Sequence, residues 1–265
     1  MLQFERGGPL DINGTAFAAE LEEVKQVGGV GYQGVTAFTV ETAQFWFNGA
    51  GKRGDPAGAA DLLACWRTSS SAGQWSDVAA SLLPLDTSPY AAADLLYRLN
   101  AAMFDASVVC WRSKYGFDFW RPITAIRQGG RWRGALAAVG SPDATWAPIL
   151  APTPAHPEHP SGHSCAGGAA GRILRNYWGT DNKQFIVGSE WPIWTDPTLP
   201  NRQYNSFTEA VEEGMVSRIY AGVHYRRAVN VGRDIGEAVG AYVWSSPGPR
   251  PSTVTSSAFA LDDTD

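Results

Sequence analysis

PAHPEHPSGHSCAGG, Pro154 to Gly168, carries three of the four histidines of this 265-residue chain: His156, His159 and His163. It also brings Ser161 and Gly162 to the start of a predicted helix, Ser161 to Tyr177. The first turn of a helix leaves backbone N–H groups unpaired and bears partial positive charge, which makes it a seat for an oxyanion. The segments on either side supply cations to that seat.

Upstream, Ser88-Pro89 is a strong helix start, a capping hydroxyl followed by proline at the first helical position. The helix it opens runs to about Lys114, with Leu95, Leu96, Leu99, Met103 and Val108 sharing or adjoining an apolar face, and ends at Tyr115-Gly116. FDFWRP, Phe117 to Pro122, then has to turn, because proline disfavours the helical conformation in Arg121. Downstream, Ser206 and Glu209 form a capping-box pattern for a helix through Arg218 towards Tyr220, and a last helix covers Ala228 to Trp244. The run Ala166 to Gly171 is poor in helix propensity, but its small residues let a second helix come close.

The remaining segments read more coarsely. Thr15 to Val27 is an amphipathic helix stopped by Gly28 and Gly29. Gly29, Gly31 and Gly34 match GxGxxG, but a helix and not a strand precedes them, so a plain loop is the better reading. Further helices are expected over Thr39 to Phe47, Pro56 to Arg67 and Gln74 to Leu83, with a Gly-rich loop over Asn48 to Pro56 and a polar break over Thr68 to Gly73. Gln128 to Ala155 reads as loop, and Asn182 to Asn205 as irregular with a short hairpin around Phe185 to Trp194. The expected fold is all-α, a helical bundle with long functional loops, in one domain over 1–246 followed by a disordered Pro/Ser/Thr-rich tail over 247–265.

Composition narrows the function. A formal charge of −5 and a pI near 5.4 argue against nucleic acid or an anionic membrane as partner. No run of about 18 apolar residues is present to form a membrane span. The residues after Met1, LQFERGGPLD, do not read as a signal peptide, and the compartment stays open. Cys65, Cys110 and Cys165 are unclustered and read as buried small hydrophobes, with no disulfide framework. A zinc site on His156, His159 and His163 is disfavoured, since Pro157 and Pro160 break any helix that would align them.

Three segments carry the chemistry together: Lys114-x6-Arg121-Pro122, Pro160-Ser161-Gly162-His163 and Ser217-Arg218-x5-His224. Taken singly, each has a bland explanation in a solvated helix end or a turn. In this order they match the signature shared by the type 2 phosphatidic-acid phosphatases and the vanadium-dependent haloperoxidases. Over Thr39 to Trp244 the chain most resembles the haloperoxidase branch. Trp111 stands where fungal-type chloroperoxidases have a tryptophan, and His156 where the algal bromoperoxidases have a histidine.

The resemblance implies a vanadate cofactor cradled by Lys114, Arg121, Arg218, the Ser161 hydroxyl and the Gly162 N–H, with His224 as the single ligand to vanadium. His163 would exchange a proton with hydrogen peroxide, Lys114 would polarise it, and Trp111 and His156 would line the halide pocket. The product would be hypohalous acid, with bromide favoured over chloride, and the partners are small molecules: peroxide, halide and an organic acceptor. Trp111 has an alternative reading as core, and His156 and His159 as loop histidines that fix their neighbouring prolines. Asp105 and Asp118 read either as supports for the cations or as surface charges.

Two departures weigh on this expectation. The phosphatase signature has an aspartate four residues after its last histidine, and Ala228 stands there. Haloperoxidases of this family are commonly longer, with extra N-terminal helices, so the chain reads as a fragment or trimmed version whose pocket an oligomeric partner would complete. Besides the haloperoxidase, two alternatives stand: a soluble acid phosphatase with His224 as nucleophile and His163 as general acid, and a non-catalytic anion-binding relative.

Overall fold

A computed structural model describes residues 2–46, 71–128, 142–187 and 202–247. After a 3-10 turn at Leu2–Phe4, the described helices are α1 (Thr15–Gly28), α2 (Ala37–Phe45), α3 (Ser71–Leu82), α4 (Pro89–Phe117), α5 (Pro122–Gln128), α6 (Gly162–Trp178), α7 (Phe207–Tyr220) and α8 (Arg226–Ser245). Two short strands, β1 (Phe185–Val187) and β2 (Arg202–Tyr204), pair antiparallel with Phe185 opposite Tyr204. The protein is a mostly helical bundle, as its sequence implies, and α6 stands at its centre against α8, α4 and α7. No helix among the described residues is long and apolar enough to cross a membrane.

The small-residue run of α6 meets glycines on α8 spaced one turn apart: Gly232, Gly236 and Gly240. A Cβ at Gly232 would lie 2.6 Å from the Ser161 carbonyl oxygen, and one at Gly240 2.8 Å from Arg172 Cβ. The helices therefore touch backbone to backbone. Each helical glycine costs about 1 kcal/mol in propensity, which the tight burial of Cys165, Ala169, Ile235 and Val239 offsets.

α4 begins as expected, with the Ser88 hydroxyl accepting the Ala91 N–H at 3.2 Å and Pro89 in the first turn. It runs three residues beyond Lys114 and closes on Asp118 in the left-handed region (φ 46°), whose N–H donates to the Lys114 carbonyl at 2.9 Å. Asp tolerates that conformation better than most residues, and here it redirects the chain within one residue. Asp118 is itself exposed, which favours the surface-charge reading. The apolar face differs in one member: Val109 is fully buried, whereas Val108 is 41% exposed. Leu95, Leu99, Ala102, Met103 and Ala106 set the phase, and Val109, three after Ala106, continues it.

The GxGxxG segment follows α1 and forms a turn, with Gly31 at φ 81° and Gly29 bridged to Pro148. The hairpin is also placed differently from expectation. β1 starts at Phe185, but its partner is Arg202–Tyr204, not a strand ending near Trp194. The partner is chosen by distant contacts: Tyr204 is buried against Phe185, and its hydroxyl donates to Glu213 of α7 at 2.7 Å. Glu213 also accepts from Trp46 Nε1 at 2.9 Å and pairs with Arg202 at 2.6 Å, which ties α2, β2 and α7 together. The capping box of α7 is shifted by one residue, since Glu209 accepts the Asn205 N–H at 2.7 Å while its own N–H goes to the Ser206 hydroxyl. The expected helix at Pro56–Arg67, the Asn48–Pro56 loop and the 248–265 portion of the tail lie outside the described residues.

Candidate active site

Each signature segment sits where a helix ends or begins. Lys114 is in the last turn of α4, fully buried, with Nζ donating to the carbonyls of Pro157 (3.0 Å) and Glu158 (2.9 Å). The left-handed cap at Asp118 turns the chain so that the Glu158 N–H donates to the Phe119 carbonyl at 2.8 Å, and Arg121 follows at the mouth of α5. Ser161 caps α6, its hydroxyl accepting the Ser164 N–H at 3.4 Å, and its N–H is fixed by the Ala228 carbonyl at 3.0 Å. Arg218 is buried in the last turn of α7.

Between α7 and α8, Gly222 reverses the chain at φ 77° and delivers His224. Any side chain there would be strained and would also meet Pro148, whose Cα lies 2.9 Å from the ideal Cβ position. The turn is held by the Gly222 N–H to the Ile219 carbonyl (2.9 Å) and the Val223 N–H to the Arg218 carbonyl (3.2 Å). Arg218 and His224 are thereby locked to one another through the backbone.

The two faces of His224 are distinct. Nδ1 lies 2.8 Å from Glu158 Oε1, which also accepts the Tyr225 N–H at 3.0 Å. Oε1 is thus an acceptor, and the network assigns the proton to Nδ1. Nε2 lies 3.2 Å from Arg121 Nη1, which can only donate, so Nε2 presents a lone pair. Arg121 also donates from Nη1 to the Val223 carbonyl (2.7 Å) and contacts His156 through Nη2 and Nδ1 at 3.2 Å.

A cavity of about 560 Å³ opens over this arrangement, its floor and walls including Trp111, His156, Gly162, His163, Arg218 and His224. Lys114, Arg121 and Ser161 lie behind that wall and do not line it among the described residues. The Lys114 ammonium sits 5.8 Å from the Trp111 ring centroid, and Trp111 tilts over His156 at 5.3 Å between ring centroids. A Cβ on Gly162 would lie 2.9 Å from the far edge of the Trp111 ring, so a larger residue there would displace the indole. The Trp46 backbone is a hydrogen-bond partner of the His163 ring, and His163 Nε2 is buried with no partner among the described residues. His159 turns away from the cavity, with Nε2 3.2 Å from the Gly7 carbonyl oxygen and its ring edge-on to Phe117.

Three buried cations converge here, and burial weakens all of them. It lowers Lys114 to about 8, Arg121 to about 10 and Arg218 to about 9, with repulsion from Arg121 adding to the effect at Lys114 and Arg218. Burial and the same cations hold His163 and His224 well below the ordinary histidine value, and burial takes His156 to about 4. Burial raises the Glu158 carboxyl to about 8, against the pull of the Tyr225 N–H and the cations. Among the described residues, Lys114, Arg121 and Arg218 bring three buried cations to one pocket, a setting that suits an oxyanion as ligand. An orphaned imidazole nitrogen, a lone pair on His224 and a helix N-terminus complete a donor set that suits a compact oxyanion such as vanadate or phosphate.

Glu158 is the functional residue that sequence reasoning passed over. Its signal was an acid wedged between two His-Pro pairs, together with the alanine at position 228 that left His224 without a nearby carboxylate. The contact joins residues 66 apart in the chain, which no local pattern encodes.

A helical bundle with this buried cationic seat beside a carboxylate-held histidine defines the class. The model of the VCPO second helical-bundle domain matches residues 94–247, and the chain belongs to that family, the helical bundle of the vanadium haloperoxidases. Among relatives, the vanadium chloroperoxidase of Curvularia inaequalis is 28% identical over 183 residues, covering 54% of this chain and 29% of that protein. The crystal structure of the first bacterial vanadium-dependent iodoperoxidase superposes with a TM-score of 0.70 at 29% identity, covering 91% of this chain and 53% of that one. A bacterial vanadium-dependent chloroperoxidase in its holo form shares the fold, with a TM-score of 0.66 at 19% identity over 91% of this chain and 50% of that one. The chain spans about half the length of these solved relatives and less than a third of the curated one.

Proposed function

We propose that this chain is the catalytic bundle of a vanadate-dependent haloperoxidase, which oxidises halide with hydrogen peroxide to hypohalous acid and prefers bromide to chloride. The observation that carries this reading is His224, whose Nδ1–H is held by Glu158 while its Nε2 lone pair faces the buried Arg121 guanidinium at 3.2 Å. His224 Nε2 would hold the metal. Arg121, Arg218, Lys114, the Ser161 hydroxyl and the Gly162 N–H would neutralise the oxyanion's oxygens, the arginines with paired donors that lysine lacks.

Vanadate, when bound, supplies a Lewis-acidic centre that activates peroxide without changing its own oxidation state. The chain's part is to move protons and exclude water. His163 stays neutral at physiological pH because burial and Arg218 depress it, so it can accept a proton from incoming peroxide and return it. Lys114, lowered to about 8, keeps its charge at neutrality, and the one ammonium N–H not given to the Pro157 and Glu158 carbonyls would polarise a bound oxygen. Trp111 and His156, packed against each other in the cavity, give a polarisable wall suited to a large halide, which is the basis for favouring bromide.

One observation favours a second reading, a soluble phosphatase. The Glu158–His224 pair is what a nucleophilic histidine needs, and it stands in for the aspartate missing at Ala228. The test is bromination of a non-aromatic diketone by apo-protein with peroxide and bromide, before and after vanadate, beside p-nitrophenyl phosphate hydrolysis. Bromination that appears only with vanadate and is suppressed by phosphate supports the haloperoxidase. Phosphate-ester hydrolysis inhibited by vanadate, without bromination, overturns it in favour of the phosphatase, and binding without either reaction makes this an anion-binding relative.

A further inference from the structure

The loop from His156 to His159 is held from two sides. On the cavity side its side-chain anchors belong to the oxyanion seat. The Pro157 and Glu158 carbonyls accept from Lys114, the His156 carbonyl accepts from Arg121 Nε at 3.2 Å, and Glu158 Oε1 holds His224. On the far side stands His159, buried and turned away from the cavity. Burial takes it to about 4, so its ring is neutral at physiological pH. The Gly7 carbonyl can only accept, so Nε2 carries the proton and donates to it at 3.2 Å. The ring also stands edge-on to Phe117, with 5.5 Å between centroids. The segment that receives this bond is itself anchored. Arg227 of α8 donates from Nε to the Gly8 carbonyl at 3.2 Å, and its backbone N–H donates to Glu20 of α1 at 2.8 Å. A Cβ on Gly8 would lie 2.7 Å from the Phe117 ring, and Phe4 packs edge-on to Tyr242 of α8.

We propose that His159 is a positioning residue for the oxyanion seat: it ties the Glu158 loop to the segment before α1, so that Glu158 keeps His224 in one orientation. The inference rests on the haloperoxidase reading for what the seat binds. Its physical basis is that the two sides of the loop respond differently to a ligand. Arg121 Nη1 lies on the Nε2 lone pair of His224, so anything that takes that lone pair displaces the contact. An arginine drawn to an anion's oxygens also loosens its hold on the His156 carbonyl. The bond from His159 to Gly7 uses no group of the seat and persists through either change. Glu158 is the next residue in the chain, so a tilt at His159 is passed directly to the carboxyl that orients His224. A histidine that binds a metal depends on such an orienting partner, and His159 fixes the partner in turn.

Three variants of the full chain separate this bond from mere bulk. His159→Phe keeps a ring against Phe117 and loses the donor, whereas His159→Gln returns an N–H towards Gly7. Phe185→Leu, in the core beside Tyr204 and Phe207, controls for lost stability alone. Proton NMR of the apo-protein follows the low-field signal of His224 Nδ1–H. Its exchange with water is expected to be at least tenfold faster in His159→Phe, within twofold of the parent in His159→Gln, and unchanged in Phe185→Leu. Vanadate affinity, by calorimetry, is expected to fall at least fivefold in His159→Phe and to recover in His159→Gln. Arg227→Met, which frees Gly8, is expected to weaken vanadate binding too, and to add less than its own loss on top of His159→Phe, because both break one connection. Unchanged exchange in His159→Phe, equal acceleration in Phe185→Leu, no recovery in His159→Gln, or fully additive losses in the double variant each overturn the inference. Faster exchange with vanadate affinity unaltered supports the positioning role and overturns the haloperoxidase reading instead, since His224 is then not what holds the metal.

Discussion

Glu158 Oε1 and His224 Nδ1 lie 2.8 Å apart in the buried interior, joining the loop before α6 to the turn before α8. In the phosphatase signature the supporting carboxylate lies four residues after the histidine, on the same segment. Here that position is Ala228, fully buried, and the carboxylate arrives from a different part of the chain.

Glu158→Gln is expected to weaken vanadate binding 10- to 100-fold, the usual cost of losing a group that orients a metal-binding histidine. Isothermal titration calorimetry on the apo-protein checks it. Ala228→Asp in the Glu158→Gln background is expected to recover part of the loss. An unaltered affinity in the single variant would show that His224 is oriented by the backbone alone.

His224→Ala is expected to abolish retention of vanadate, while His163→Ala retains it and loses bromide oxidation by 10² or more, as for a proton-transfer group. Vanadium content after gel filtration, read beside the bromination rate, separates the two roles. Equal vanadium loss in both variants would remove His163 from the catalytic assignment.

Lys114 sets a pH dependence whose sign follows from its burial. Its folded-state value, about 8, lies below the ordinary lysine value of 10.5, so between these two the unfolded chain binds more protons than the folded one. Stability of the apo-protein from this group therefore rises as pH increases from 8 towards 10.5, and its full cost is present below pH 8. Anion binding moves the opposite way, because deprotonation removes a positive charge from the seat. Phosphate affinity is expected to fall above pH 8, and Lys114→Met to flatten that fall. Denaturant titrations and phosphate binding from pH 7 to 10 measure both trends.

Gly236→Ala places a Cβ against the Cys165 carbonyl and Ala169 amide of α6, where only backbone can yield. Destabilisation of about 3 kcal/mol is expected, at the upper end for overpacking, with a fall in Tm of roughly 6 to 12 °C for a chain of this size. A thermal melt followed by circular dichroism checks it. A shift under 2 °C would mean that α6 and α8 separate at little cost.

By itself, the sequence determined what depends on neighbours a few residues away. Ser88-Pro89 and Ser161-Gly162 start their helices because capping is satisfied within three residues, and the order of Lys114, Arg121, His163, Arg218 and His224 was enough to imply an anion site and its family. Only the tertiary structure decided what lies across the bundle. It paired β1 with Arg202–Tyr204 through Phe185 and Glu213, set Val109 in the core in place of Val108, and turned His159 away towards Gly7. It also placed Glu158 on His224, because a buried carboxyl group is tolerated only where hydrogen-bond partners meet it, and that meeting exists only once α4, α6 and α8 have packed.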